Sequence, residues 1–446
     1  MPDTDIRSEA TIGGTRVIPS ALLVPFILVT TLFALWGFAN DVTNPMVKAF
    51  SRILQMNNFQ GSLVQFAFYG GYFAMAFPAA LFIKRYSYKA GILVGLGLYA
   101  TGALLFIPGS MMMVFWPFLV AYFIITCGLS FLETSANPYV LAMGPEETAT
   151  RRLNFAQSFN PMGSLLGMFT AQQFILAKLN PATAAERAAM NPDALRAVTA
   201  SDLGIVRVPY VGIALVILVV FVIIAITKMP AASSGDRSLN VGPTLRRLLA
   251  NKRYLEGVSA QFFYVGAQIM CWTFIIHYAT LELGMDEVTA QGYNIVAMII
   301  FVTSRFICTF LLKYVSPGGL LMTLALGGGL LTLGAIVLQG IFGLYCLVGI
   351  SACMSLMFPT IYGIALRGLG DDTKIAAAGL IMSILGGSVM PPLQGAIIDM
   401  GTISLGSVTI AAVRASFVLP LICFVVIASY GWRTSVLHDK QSGTRR

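Results

Sequence analysis

The sequence predicts an all-α membrane protein with twelve transmembrane helices. Three observations carry that prediction: 57% of the 446 residues are hydrophobic, only 11% are charged, and the mean hydropathy is +0.80. A spanning helix needs about 20 mostly apolar residues, and runs of that length recur along the chain between short polar or Gly/Pro breaks. Lipid offers an open backbone no hydrogen-bond partner, so these runs must be helices.

The runs lie at 22–47, 60–83, 90–109, 112–143, 153–177, 206–228, 256–281, 289–312, 318–339, 341–366, 374–398 and 406–432. The polar opening "MPDTDIRSEATIGGTRVIPS" carries three acids ahead of a run longer than a signal-peptide core, so no cleaved leader is expected. Six cysteines fall inside predicted spans without the paired spacing of a zinc site. They read as small apolar packing residues.

The net charge of +9 is distributed as a topology signal. With the chain starting in the cytoplasm, most of the 28 Lys and Arg fall on the inner side, including Lys84, Arg85, Lys89, Arg151, Arg152, the stretch from Lys228 to Arg253, Lys313, Arg367, Lys374, Arg445 and Arg446. That bias sets orientation. Both termini of this multi-pass chain are therefore expected in the cytoplasm, and no nucleic-acid partner is expected beside the lipid bilayer.

The least hydrophobic interior stretch, residues 227–257, separates six runs from six. The segments "FIKRYSYKAGILVGLGLYATGALL" and "FLLKYVSPGGLLMTLALGGGLLTLGAIV" each place a basic turn between an apolar end and a Gly-rich span, about half a chain apart. The expected organisation is a six-helix domain over 1–228 with a short N-tail, a cytoplasmic linker at 229–255, and a second six-helix domain with a C-tail over 256–446. Duplicated halves of this kind rock around a central site. The polar segment 177–209 reads as a solvated outer loop with short Ala-rich surface helices.

Charge inside lipid is costly and normally faces a wet interior. Of the 19 acids, only Asp41 and Glu133 fall well inside spans, Asp41 in the outer half of the first and Glu133 nearer the inner half of the fourth. Hydrogen-bonding side chains surround them at helical spacing: Asp41 with Asn44, Glu133 with Asn137, Gln65 with Tyr69, Gln157 with Asn160, and the series Gln261, Tyr264, Gln268 and Trp272. Members of each set share a helix face. Any one set could be interhelical hydrogen bonding; five together indicate a shared polar cavity. Amides, carboxyls and aromatic faces suit the hydroxyls and apolar face of a neutral sugar. Arg305 is expected toward the cytoplasmic end of its span, away from the cavity, which argues against an anionic substrate. His277 and Asp399 lie at span ends and read as interfacial and solvated.

An enzyme is not expected. His277 and His438 are the only histidines, and no serine pairs with a buried histidine as nucleophile and base. Metal ligands and cofactors are likewise not expected, and no signalling or ligand domain suggests a sensor.

The motifs "FLETSANPYV", "RLNFAQSFNPMG", "NNFQGSLVQFAFYGGYF", "KRYSYKAGILVGLGLYATGALLF", "AQFFYVGAQIMCW" and "FPTIYGIALRGLGDDTK" together resemble the fucose:proton symporter family of the major facilitator superfamily, a resemblance that runs from about Ile18 to Trp432. The resemblance implies the major facilitator fold, two pseudo-symmetric six-helix domains working by alternating access, and proton-coupled uptake of a neutral monosaccharide across a bacterial inner membrane; a monomer is expected, and whether it acts alone stays open. Glu133 matches the family's essential glutamate of span 4, which takes and releases the coupling proton. Gln157 and Asn160 match the polar face of span 5, and Tyr362 of "FPTIYG" joins the substrate-binding candidates. Span 1 departs: the family pattern has an asparagine at Asp41 and its second essential carboxylate, an aspartate, at Asn44. The exchange leaves two readings of Asp41, a proton or sugar-hydroxyl site and a cap for polar groups that Pro45 leaves unpaired. The sugar (L-fucose, another hexose or an N-acetylhexosamine) and coupling by sodium or none instead of the proton also stay open.

Overall fold

A computed structural model describes residues 18–55, 58–182, 184–230, 241–405 and 408–443; within them the side chains at 43–49, 51–52, 58–66, 184–185, 287–288, 404–405, 408 and 437–443 are not described. The predicted N-tail, much of the linker, and the side chains of Asn44, Gln65 and His438 therefore lie outside the described residues.

The first half runs α1 (Leu23–Ile53), α2 (Asn58–Arg85), α3 (Tyr88–Leu104) continued by α4 (Phe106–Met112), α5 (Trp116–Ala142), α6 (Ala149–Gln157) continued by α7 (Phe159–Thr170), a short α8 (Ala184–Ala188) and α9 (Pro192–Ile226). After the linker helix α10 (Val241–Ala250), the second half runs α11 (Lys252–Leu283), α12 (Glu287–Leu311), α13 (Pro317–Val337), α14 (Ile341–Met354) with α15 (Met357–Leu366), α16 (Thr373–Met382) with α17 (Gly386–Ile398), and α18 (Ala412–Ala415) with α19 (Val418–Gly443). Ten of these stretches are long and apolar enough to cross a bilayer on their own. The fifth span is segmented at Ser158, and α2 is described only in part. One hairpin interrupts the helices, β1 (Thr402–Leu405) antiparallel to β2 (Val408–Ala411) in the connection before α18.

The two halves repeat one packing plan. In the first, α1 packs on α7, α2 on α5 and α3 on α9; in the second, α11 packs on α17, α12 on α14 and α13 on α19. Small residues set the closest approaches. A Cβ on Gly37 of α1 or on Gly163 of α7 would overlap the opposing backbone at Asn160 or Ala34, so glycine at these positions lets the two backbones touch. That contact fixes where the polar residues of α1 and α7 point.

The halves meet at the end carrying Lys84, Arg152, Arg247 and Arg367, hereafter the basic end. There α16 packs against α2 and α5, and α15 against α6. Tyr362, Leu366, Ile375 and Leu380 of the second half belong to the buried core of the first. Asn154 Nδ2 donates to Thr360 Oγ1 at 3.1 Å, Glu146 and Arg367 pair at 3.6 Å, and Lys374 Nζ lies 5.4 Å from the Tyr88 ring centroid.

The 177–209 segment corrects an expectation. It is largely exposed and forms the expected short Ala-rich helix α8, but it is not an open loop: α9 already begins at Pro192, and the preceding turn folds around an ion pair between Arg187 and Asp202, which are 0% and 1% exposed. Asp202 also accepts from the Asn180 backbone N–H at 2.9 Å, and Arg187 donates to the carbonyls of Asn180 and Ala182. An Ala-rich sequence shows helix propensity but not that a buried charge pair organises it.

Candidate functional site: a polar cavity between the halves

Between the halves, on the far side of the basic-end contacts, lies a cavity of about 220 Å³. Of the thirteen sequence candidates, Asp41, Tyr69, Glu133, Gln157, Asn160, Tyr264, Gln268 and Trp272 line it. Its walls also carry Trp36, Asn40, Tyr72, Ser164, Phe301, Arg305 and Phe358.

Glu133 is buried in α5 at 5% exposure, and its Oε1 accepts from the Tyr72 hydroxyl at 2.9 Å. Asn137, one turn on, donates from Nδ2 to the Glu133 carbonyl at 3.0 Å, while its Oδ1 accepts from Gln157 Nε2 at 2.7 Å. This chain ties α5 to the broken fifth span. Asn160 Nδ2 donates to the Phe33 carbonyl at 3.1 Å, across the Gly37 and Gly163 contact. Asp41 lies on the same helix as Trp36 and Asn40, within electrostatic reach of Tyr69. The first half thus supplies both carboxyls and most of the amides.

The second half supplies aromatic faces and one cation. Trp272 donates from Nε1 to Ser351 Oγ at 3.2 Å and meets Phe301 edge-on at 4.9 Å. The Tyr264 hydroxyl donates to the Met354 carbonyl at 3.2 Å. Arg305, 4% exposed, lies with its guanidinium 4.6 Å from the Phe301 ring centroid, donating to the carbonyls of Ser355 and Gln157. Its position in the cavity wall corrects the expectation that it lies away from the site; counting rise along a straight span did not capture how α12 faces the broken fifth and tenth spans.

Three candidates do not reach the cavity. Asn137 stands behind Gln157 as its hydrogen-bond partner. Gln261 and Tyr362 are fully buried, and their side-chain polar atoms have no partners among the described residues. The antiparallel packing of α11 on α15, with Gly257 against Ala365 and Tyr264 against Phe358, puts Gln261 level with this part of α15 on the basic side of Tyr264. The residues that were missed carried a readable signal: Trp36 and Asn40 are four apart, and Tyr72 follows Tyr69 by three, so each shares a helix face with a partner in the cavity.

Among the described residues no cluster of His, Cys, Asp or Glu could hold a metal ion, and the six cysteines are free. The arrangement can hold a small hydroxylated solute between amides and aromatic faces, with two carboxyls at its wall.

Residues 27–390 match the Major Facilitator Superfamily. The L-fucose-proton symporter of Haemophilus influenzae is 52% identical over 432 residues, covering 94% of this chain and 98% of that protein. The L-fucose-proton symporter of Escherichia coli is 37% identical over 410 residues, covering 91% and 92%. The crystal structure of FucP, a Major Facilitator Superfamily transporter, in the outward conformation matches with a TM-score of 0.84 at 36% identity, over 93% of this chain and 99% of that one. This chain belongs to the fucose:proton symporter family of the Major Facilitator Superfamily.

Proposed function

We propose that the protein imports a neutral monosaccharide, L-fucose or a related hexose, together with a proton across the bacterial inner membrane by alternating access. The observation that carries this reading is the cavity itself, in which buried Glu133 and half-buried Asp41 share walls with amides and the Trp36 and Trp272 rings. The names of the two relatives, both L-fucose-proton symporters, support the same sugar and the same coupling ion.

In this reading Glu133 carries the coupling proton, and Asp41 takes the second carboxyl role beside Asn44 on α1. Gln157, Asn160, Gln268, Tyr69 and Tyr264 hold hydroxyls, while Trp272 covers the apolar face of the ring. Arg305 does not make the site a receptor for anions, because its Nε and Nη1 donors are already held by the carbonyls of Ser355 and Gln157. Gln261 and Tyr362 belong to the path toward the basic end. With that end in the cytoplasm, as the Lys/Arg bias indicates, both termini are cytoplasmic and the halves are sealed on the inside. The state described is then outward-facing, and the protein works as a monomer.

The test is uptake into proteoliposomes of labelled L-fucose, with hexoses, N-acetylhexosamines and sugar phosphates as competitors, with and without an imposed pH gradient. Neutral sugars should compete, sugar phosphates should not, and an alkaline interior should drive accumulation without sodium. Transport of an organic anion and of no sugar is the result that overturns the reading.

A further inference from the structure

Two carbonyls in the cavity wall lack a helical donor for the same reason. In an α-helix the carbonyl of residue i accepts from the N–H of residue i+4. The residue four beyond Gln157 is Pro161, and the residue four beyond Ser355 is Pro359. Proline has no N–H, so both carbonyls are orphaned by the sequence, in a region where water is scarce. Gln157 ends α6 in the first half; Ser355 lies between α14 and α15 in the second.

One side chain satisfies both. Arg305 of α12 donates from Nε to the Ser355 carbonyl and from Nη1 to the Gln157 carbonyl, the latter at 2.9 Å. The first bond stays within the second half; the other crosses between halves at the floor of the cavity. Nη2 has no partner among the described residues, and Arg305 lines the cavity. A guanidinium suits this role because its Nε and Nη donors are fixed in one plane and spaced apart, so they reach two separate carbonyls at once and leave a further edge open, whereas an ammonium is a flexible point charge.

We propose that Arg305 is a positioning residue that latches the two halves by capping these two proline-orphaned carbonyls, and that a sugar held against its open edge loosens the bond to Gln157. The second part rests on the function proposed above. A hydroxyl oxygen that accepts from the free edge of the guanidinium draws it toward the cavity and away from α6. Opening of the basic end then supplies water to the Gln157 carbonyl, so the latch is released where the solute must leave.

Hydrogen exchange read by mass spectrometry on the full chain in lipid nanodiscs tests both parts. In Arg305→Lys without sugar, residues 149–157 should exchange roughly 10-fold faster, the loss expected for one charge-assisted hydrogen bond. The lipid-facing helix α13 serves as control and should not change. Pro161→Ala restores the missing N–H, so in that background Arg305→Lys should change exchange by less than about 3-fold, because the latched carbonyl now has a helical donor. Saturating L-fucose should accelerate exchange at 149–157 in the unmodified protein but not in Arg305→Lys. The latch is overturned if Arg305→Lys leaves 149–157 unchanged, if α13 accelerates equally, or if the lysine effect is the same with and without Pro161→Ala. If L-fucose binds and exchange at 149–157 does not respond, the coupling to sugar is overturned. Absence of L-fucose binding would count against the proposed function and the sugar coupling together, while the sugar-free arms still decide the latch.

Discussion

Replacing Glu133 by glutamine removes an ionisable proton at small structural cost. The side chain is 5% exposed and accepts from the Tyr72 hydroxyl at 2.9 Å, a bond that a glutamine carbonyl oxygen can also accept. The Asn137 bond goes to the Glu133 backbone carbonyl and is untouched. Exchanging a charged for a neutral acceptor changes such a bond by on the order of 1 kcal/mol, too little to unfold a span held by its neighbours. The effect on coupling is far larger. With one proton per sugar, each pH unit across the membrane is worth ~1.4 kcal/mol, or about tenfold accumulation. Glutamine carries no such proton, so the expected accumulation ratio is about 1 at any imposed gradient. The assay is L-fucose uptake into proteoliposomes with the interior one pH unit more alkaline, alongside sugar counterflow at equal pH. The unmodified protein should accumulate roughly tenfold, and Glu133→Gln should lose accumulation while keeping counterflow. Tenfold accumulation by the mutant would refute the assignment of the proton to Glu133.

Further outcomes follow from other parts of the structure. Asp41→Asn should lose pH-driven uptake, and adding Asn44→Asp should recover part of it, since positions three apart share a helix face about 5 to 6 Å apart; normal accumulation by a folded Asp41→Asn protein would make Asp41 a structural cap. Asp202→Ala leaves Arg187 buried without its partner, a loss of about 3 to 5 kcal/mol, so thermal unfolding should shift down and protection across 180–203 should fall; an unchanged melting curve would show the pair to be dispensable. The Arg247 guanidinium, with the Thr244 hydroxyl, holds the Asp372 carboxyl below the usual carboxylate range. A lowered folded value means that the contribution of this ion pair to the docking of α10 is fully present above pH ~4 and is lost as pH falls below that, through the lowered folded value. A spin label at Leu249 should become mobile on acidification, and in Asp372→Asn it should be mobile already at pH 7; equal mobility across that pH range would separate α10 from this contact.

The order of the spans and most of their extent were legible because the bilayer imposes a rule that acts on composition alone, although the sixth begins at Pro192, well before its expected start at 206. Backbone groups in lipid must close into helices, and a charge there is conspicuous. The two intramembrane carboxyls and the recurring polar faces could therefore be read without a neighbour in view, as could the division into two sets of six. The hairpin β1–β2 escaped notice because "VTIA" is apolar enough to read as the start of the last run, while "TISL" falls in the short break before it. The cap around Arg187 and Asp202 escaped because its partners are fifteen residues apart on different turns.

What only the tertiary structure decided is which polar residue faces which. Spacing by threes and fours assigns a side chain to a face of its own helix but gives no phase relative to other helices. Pro161 and Pro359 also break the spans in which that phase matters most. Asn137 accordingly stands behind Gln157, and Gln261 lies buried beyond the cavity floor, although each follows the pattern of its helix. Arg305, excluded by a count along α12, enters the wall because the carbonyls freed at those two breaks in other helices converge on it. Sequence determined that these groups had to leave the lipid; the packing of α1 on α7 and of α11 on α17 decided which of them meet, because buried polar groups are satisfied by whichever partner the converging backbones bring within reach.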